Sequence, residues 1–189
     1  MTNLVYLSLG SNIEPKKNVR AAVEMLATLA KVQAVSSVWE TLPLGLTDQP
    51  NFLNAAAVVE TKLTAKQFKR QVIHHIERVL GRVRTADKFG PRSIDIDIIL
   101  FNRDIFELDN QPIPNRELLE RPFVGIPLAE IASDYIHPET GQALSEIAAG
   151  FSVTEADMRL RVDVSLALTQ SKPFARSARK QPASIEPSF

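Results

Sequence analysis

Asp95 and Asp97 stand two residues apart inside an apolar run, Ser93 to Phe101, whose composition predicts a β-strand. Side chains alternate along a strand, so the two acids share one face while Ile94, Ile96 and Ile98 take the other. Their Cα atoms then lie about 7 Å apart. At an effective dielectric of about 20 the two charges repel by about 2.4 kcal/mol. Either both acids face open water or a cation lies between them, and an oxygen-only ligand set selects magnesium or a similar hard ion. Taken alone, Asp-x-Asp fits a solvent-facing strand edge equally well.

The segment just upstream tips the balance. Gly81-Arg82-Val83-Arg84-Thr85-Ala86-Asp87-Lys88-Phe89-Gly90-Pro91-Arg92 is a basic loop beside the acid pair. Guanidinium groups match phosphate oxygens in pairs, and a lysine adds a mobile point charge. Acids and arginines together suit a polyphosphate with its counter-cation. The chain has no Gly-x-x-x-x-Gly-Lys-Ser/Thr segment, so the phosphates are not held by a P-loop. Gly10-Ser11-Asn12 is too short to cradle phosphate and reads as the end of the first strand.

The elements that must position these residues follow from periodicity. Leu4 to Leu9 reads as a strand. Pro15 suits a first helical turn, and Val19, Ala22, Val23, Leu26 and Leu29 give the stripe of an amphipathic helix. Val32 to Trp39 and Leu53 to Glu60 read as strands, with a loop from Thr41 to Asn51 between them. Thr64 and Gln67 form a capping box ahead of the stripe Phe68, Val72, Ile76, Val79 and Leu80, and Gly81 ends that helix. Asn102-Arg103-Asp104 suggests a hairpin turn from the acid-bearing strand into Ile105–Leu108. A short helical piece, the apolar run Phe123 to Ile131 and a helix around Leu144 to Phe151 complete the core. The order strand-helix-strand-strand-helix-strand predicts an α+β, ferredoxin-like antiparallel sheet with helices packed on it in three αβα layers.

Residues 1–150 form the predicted domain. Residues 151–170 are an extension in which Met158, Leu160, Val162, Val164, Leu166 and Leu168 alternate with polar residues, which predicts a strand, at a sheet edge or a dimer contact. Residues 171–189, rich in Ser, Pro, Lys and Arg, read as a disordered tail. With 22 basic and 22 acidic residues in 189 the net charge is zero, which argues against general nucleic-acid or membrane-surface binding. The absence of cysteine excludes disulfides, thiolate zinc sites and cysteine nucleophiles. No basic leader or long apolar span is evident, so a cytoplasmic protein is expected, monomeric or a weak homodimer.

Lys88-Phe89-Gly90-Pro91-Arg92-Ser93-Ile94-Asp95-Ile96-Asp97-Ile98-Ile99 resembles the signature of the 6-hydroxymethyl-7,8-dihydropterin pyrophosphokinase family. Leu7-Ser8-Leu9-Gly10-Ser11-Asn12 resembles the family near its start. Thr41, Pro43-Leu44-Gly45, Asp48-Gln49-Pro50 and Phe52-Leu53-Asn54-Ala55-Ala56 resemble its pterin-side loop and strand. Arg121-Pro122-Phe123 and Pro127-Leu128-Ala129-Glu130-Ile131-Ala132 resemble its C-terminal part. The likeness runs in order over about residues 4–145.

The resemblance implies transfer of diphosphate from ATP to the pterin hydroxymethyl group, with release of AMP, in tetrahydrofolate biosynthesis. It implies that Asp95 and Asp97 bind two Mg²⁺ ions with the ATP. Arg82 and Arg92 serve as catalytic contacts to the phosphates. Glu77, Arg84, Ile98, Asn115, Arg116 and Arg121 belong to the nucleotide side. Thr41, Pro43, Leu44 and Asn54 read the pterin edge, and Phe52 and Phe123 sandwich its ring. This chain departs from the family pattern at Asn115, where a histidine is usual, at Phe89, where some members have tryptophan, and after about residue 150. Two alternatives stay open: the same transfer onto a modified pterin, and a non-catalytic paralogue that binds pterin or nucleotide. An RNA-binding module of similar fold fits the zero net charge poorly.

Overall fold

The computed structural model describes residues 2–45, 48–83 and 90–166. Its centre is an antiparallel sheet in the order Asp95–Phe101, Asn3–Ser11, Phe52–Thr61, Trp39–Thr41, Met158–Leu160, with Lys31–Val35 also paired to Phe52–Thr61. β1 (Asn3–Ser11) lies between β4 (Phe52–Thr61) and β5 (Asp95–Phe101). β2 (Lys31–Val35) and β3 (Trp39–Thr41) follow one another along the far edge of β4. The single strand expected over 32–39 is thus two, because the chain shifts register against β4 and leaves the ladder at Ser36 to Val38.

Alternation along β1 and β4 sorts the apolar residues into two clusters. Val5, Leu7 and Leu9 of β1 join Leu53, Ala55, Ala57 and Val59 of β4 under α1 (Pro15–Leu29) and the Phe68, Ile73 and Ile76 side chains. Tyr6, Ala56 and Val58 meet Leu118, Val124, Leu128, Leu144 and Ile147. These last five come from α4 (Glu117–Glu120), α5 (Pro122–Ala132) and α6 (Leu144–Ala149). The sheet therefore has a buried apolar patch on each face, which is why its central strands are nearly continuous runs of apolar residues.

The second helical region begins with the expected capping box: Thr64 Oγ1 accepts from the Gln67 N–H, and the Gln67 side chain accepts from the Thr64 N–H. It is not one uniform helix. α2 (Ala65–Phe68) passes through a π-helical turn, Lys69–Ile73, into α3 (His74–Val79). The wider turn admits an extra residue and rotates everything after it by one position. Ile73 is buried where the simple stripe left it out, Val79 is 56% exposed where the stripe put it inside, and Glu77 is turned inward. Gly81, at φ 75°, ends the helix as expected.

Two further expectations are corrected. β6 (Phe106–Leu108) does not pair with β5. It forms a separate two-stranded ribbon with β7 (Gln111–Ile113) through Asp109 and Asn110, both with positive φ as a type I′ hairpin turn requires. Asn102 instead bonds back to β1: its N–H donates to Leu4 O and its Oδ1 accepts from Leu4 N–H. Among its described residues the alternating segment is a strand only at β8 (Met158–Leu160), an edge strand paired with β3. Beyond Leu160 the chain turns inward, burying Val164 and Leu166 in the α1-side cluster; Leu168 and residues 171–189 lie outside the described residues.

Candidate active site

Pairing registers bring the predicted residues into line. Asn54, Gly10 and Asp95 lie side by side across β4, β1 and β5; two residues along, Ala56, Ser8 and Asp97 form a parallel row. With strands about 4.8 Å apart, the backbones of Asn54 and Asp95 are about 10 Å from each other. Gly10 between them has no side chain to fill that gap, and a Cβ there would come within 3.3 Å of Asn54 Oδ1. A cavity of about 390 Å³ opens over these rows. It is lined by Ser8, Gly10, Thr41, Leu42, Leu44, Phe52, Asn54, Arg92, Asp95, Asp97, Gln111, Glu117, Arg121 and Phe123. A larger hollow of about 640 Å³ along β2 and residues 160–166 has no carboxylate among its described lining residues.

One wall of the cavity combines a buried amide with aromatic and aliphatic surface. Asn54 is buried, and its Nδ2 donates to Thr41 Oγ1 at 2.9 Å, which orients the amide. The Phe52 and Phe123 rings and Leu44 supply apolar surface close by. The Arg92 guanidinium sits 5.6 Å from the Phe52 ring centroid, within cation–π range.

The opposite wall is charged. Asp95 is ion-paired to Arg92 and, at 3.4 Å, to Arg82. Both arginines are largely buried, and Arg82 Nε is a buried donor with no hydrogen-bond partner among the described residues. Among the described residues Asp97 has no ion pair of this kind. Burial, then the charges of Asp95, Glu117 and Glu77, push its carboxyl up to about 7, opposed only weakly by Lys69. The π-turn explains the Glu77 contribution. The inward-turned carboxylate accepts from the Ile96 N–H at 3.3 Å, on the opposite face of β5 and midway between the two aspartates. Burial likewise raises Glu117, with Arg121 opposing.

Among the described residues no three His, Asp or Glu side chains form a ready cage for a metal. Asp95 and Asp97 fit magnesium in the other common manner, in which one or two carboxylates hold an ion whose remaining ligands are water and substrate phosphate. A divalent cation beside Asp97 would favour its charged form and lower that carboxyl again.

Of the residues expected from sequence, Thr41, Leu44, Phe52, Asn54, Arg92, Asp95, Asp97, Arg121 and Phe123 line this one cavity, and Arg82 joins it through Asp95. Pro43, Asn115 and Arg116 are not among its lining residues. The Asn115 Oδ1 accepts from the Glu117 N–H at 3.0 Å at the entry to α4. Ile98 is buried in the apolar cluster on the other face, so its side chain is remote from the cavity. Arg84 and Phe89 lie outside the described residues.

Sequence reading undervalued Gly10-Ser11-Asn12. Ser11 Oγ donates to Ser93 O. Asn12 is 2% exposed; its Oδ1 accepts from the Arg92 N–H at 2.7 Å, and its Nδ2 donates to Gln49 Oε1 and Pro50 O. The triplet therefore ties the loop at Gln49 and Pro50 to the arginine loop. Gln111 and Glu117 were also missed; an acid one turn before Arg121 was the signal available for Glu117.

The antiparallel α/β scaffold thus sets a wall of paired acid and arginines across one cavity from a wall of aromatic rings and a buried amide. The chain belongs to the 7,8-dihydro-6-hydroxymethylpterin-pyrophosphokinase (HPPK) family, whose model matches residues 6–133. It is 42% identical over 134 residues to the Bacillus subtilis 2-amino-4-hydroxy-6-hydroxymethyldihydropteridine pyrophosphokinase, covering 69% of this chain and 79% of that one. It is 35% identical to the Haemophilus influenzae enzyme of the same name, covering 78% and 92%. A folic acid synthesis protein, fol1, of Pneumocystis carinii is 41% identical over 145 residues, 75% of this chain. The chain spans only about a fifth of the length of that protein and of its Schizosaccharomyces pombe counterpart. A crystal structure of Plasmodium falciparum HPPK-DHPS wild type with pteroate shares the fold, with a TM-score of 0.64 at 14% identity over 79% of this chain and 44% of that one. No helix among the described residues is long and apolar enough to cross a membrane.

Proposed function

We propose that this protein transfers the diphosphate of ATP to the hydroxymethyl group of 6-hydroxymethyl-7,8-dihydropterin and releases AMP, a step of folate synthesis in the cytoplasm. The observation that carries this reading is the row Asn54–Gly10–Asp95, which sets a ring-reading amide and a metal-competent acid on either side of a side-chain gap. The strand order, with β1 and β4 central and β5 and β3 outside them, supports a ferredoxin-like sheet between two helical layers.

On this reading Phe52 and Phe123 hold the two faces of the pterin, since offset stacking on aromatic rings suits a planar heterocycle. Asn54, with Thr41 and the backbone near Pro43 and Leu44, pairs with its polar edge. Asp95 and Asp97 hold two Mg²⁺ ions, which neutralise polyphosphate charge when bound with the nucleotide. Arg92 and Arg82 exchange their contacts with Asp95 for contacts with phosphate oxygens, and the unpartnered Arg82 Nε gains an acceptor. Arg121 lines the same cavity and assists, with Arg84, Arg116, Asn115, Glu77 and the backbone at Ile98 on the nucleotide side.

The hydroxymethyl oxygen attacks the β-phosphorus, the bond from that phosphorus to the α,β-bridging oxygen breaks, and AMP leaves with the bridging oxygen. The hydroxyl proton ends in solvent. No covalent enzyme intermediate is formed, so positioning and charge stabilisation supply the acceleration.

Purified protein with ATP, Mg²⁺ and hydroxymethyl-dihydropterin should yield AMP in step with diphosphorylated pterin. Asp95→Ala and Asp97→Ala should each lower turnover at least roughly 100-fold. ADP as the nucleotide product would overturn the reaction. A preference for another pterin in a substrate panel would move the substrate within the same class. Saturable binding with no turnover of any pterin would point to a non-catalytic binder.

A further inference from the structure

The C-terminal segment lies across the ring-side edge of the sheet. In register, Trp39 pairs with Leu160, Glu40 with Arg159 and Thr41 with Met158. The Glu40 carboxylate receives Arg159 at 2.6 Å and Arg161 at 2.9 Å on one oxygen, and the Asn51 amide at 3.3 Å on the other. Arg161 in turn holds Asp163 through two bonds of 2.8 and 3.0 Å, and Asp163 takes Lys16 of α1 at 2.7 Å. The Arg161 N–H also donates to Val38 O. Past this ion chain, Val164 and Leu166 are buried in the α1-side cluster.

The segment is thus anchored at both ends, and its charged middle grips β3 at Glu40. Glu40 immediately precedes Thr41, which orients Asn54, and it also holds Asn51, which immediately precedes Phe52. β3 is held from its other side as well, since Glu130 of α5 accepts from Trp39 Nε1 at 2.6 Å and from the Ser37 N–H at 2.8 Å. Acids and arginines of the phosphate wall stand on β5 and the loop before it, with β1 and β4 between them and β3.

We propose that residues 158–166 are a strap that sets the ring-side wall of the cavity through Glu40, so that Arg161 and Glu40 are positioning residues for the pterin and not for the nucleotide. The proposal rests on the reading of the cavity as a pterin and ATP site. Arg161, 19% exposed in its side chain, carries more of the effect than Arg159, 63% exposed, because an exposed pair is screened by solvent.

Steady-state kinetics on the full chain test this with Arg161→Gln, Arg161→Lys, Glu40→Gln and the double variant Glu40→Gln/Arg161→Gln. Arg161→Gln and Glu40→Gln should each raise KM for the pterin roughly three- to tenfold, leaving KM for ATP and kcat within about twofold. The double variant should cost no more than the worse single one, the signature of a shared contact. Arg161→Lys, which keeps the charge, should recover most of the loss. Trp39, the only tryptophan, reports on β3 directly: its emission should change in Arg161→Gln and return in Arg161→Lys. Losses shared equally by both substrates, or a lower melting temperature with both KM values unchanged, would overturn the strap while leaving the function intact. A wild-type protein that neither binds nor converts the pterin would overturn the functional reading, and the strap with it.

Discussion

At Asp97 the needs of the fold and of the chemistry oppose each other. Its carboxyl is lifted from an ordinary value of 3.8 to about 7, first by burial and then by neighbouring acids. A carboxyl that holds its proton more tightly in the folded state than in the unfolded chain makes the folded state bind more protons between those two values. Stability from this group therefore falls as pH rises from about 3.8 to about 7 and is level above that. Removing the charge should relieve the penalty. Asp97→Asn is expected to melt at a higher temperature than the wild type in metal-free buffer at pH 8. The advantage should shrink towards pH 5 and vanish near pH 4, while pyrophosphoryl transfer is lost at every pH. Thermal unfolding of both proteins across that range is the measurement, and a gain independent of pH would show that desolvation of the acid is not its source. Asp95 is set up differently, since Arg82 and Arg92 already balance it. Among the described residues one acid is ion-paired and the other is not, an asymmetry that Asp-Ile-Asp as a string does not reveal.

Loops and strands meet at Asn12. Its side chain ties Arg92, at the end of one loop, to Gln49 and Pro50 of another, and the backbone adds Asn12 and Ile13 N–H donations to Arg92 O. Asn12→Ala keeps those backbone bonds but removes the side-chain ties and leaves the Arg92 N–H without the oxygen it donates to. Stability should fall by about 1–3 kcal/mol. Turnover should fall further than stability alone explains, roughly 10- to 100-fold under conditions where the variant is fully folded, because a displacement of about 1 Å at a reacting group has that effect. Denaturant titration and kcat on the same preparation separate the two. An unchanged kcat in a destabilised variant would reduce Asn12 to a structural tie. Local signals made much of this fold legible: the alternation in β1 and β4, the Thr64–Gln67 capping box and Gly81 at the helix end are decided within a few residues. Alternation put Asp95 and Asp97 on one face of their strand, and the two do line one cavity, whereas Phe52 and Asn54 were singled out only by the family resemblance. What escaped depends on partners far away in the chain. Asn12 looks like a turn residue until Arg92, eighty positions on, donates to it; the π-turn that buries Glu77 has no periodic signature. β8 stops at Leu160 because the ion chain and the α1-side cluster pull the rest inward, although Val162 and Val164 continue the alternation.

For the molecule as a whole, the cavity draws on Ser8 and Gly10 near one end of the sequence, Asn54 in the middle and Phe123 beyond β7. Its walls belong to the strands that organise the apolar clusters on both faces of the sheet, so no part of the site can form while the sheet is undone. A ligand spanning both walls therefore binds only the folded chain, and its binding energy appears in full as resistance to unfolding. At a concentration about 100 times its dissociation constant, a non-hydrolysable ATP analogue with Mg²⁺ should add about 2.7 kcal/mol. For a chain of this size each kcal/mol moves the melting temperature by about 2–4 °C, so a rise of roughly 5–10 °C is expected. The cation requirement discriminates: in EDTA the analogue must approach Asp95 and Asp97 with its own negative charge uncompensated, and most of the rise should disappear. In an Asp95→Ala/Asp97→Ala protein the repulsion and the metal ligands go together, so the Mg²⁺-dependent part of the rise should vanish and any residual shift should be the same with and without the metal. A double variant that keeps the full Mg²⁺-dependent rise would move the metal off these two acids and break the link between the charged wall and the nucleotide.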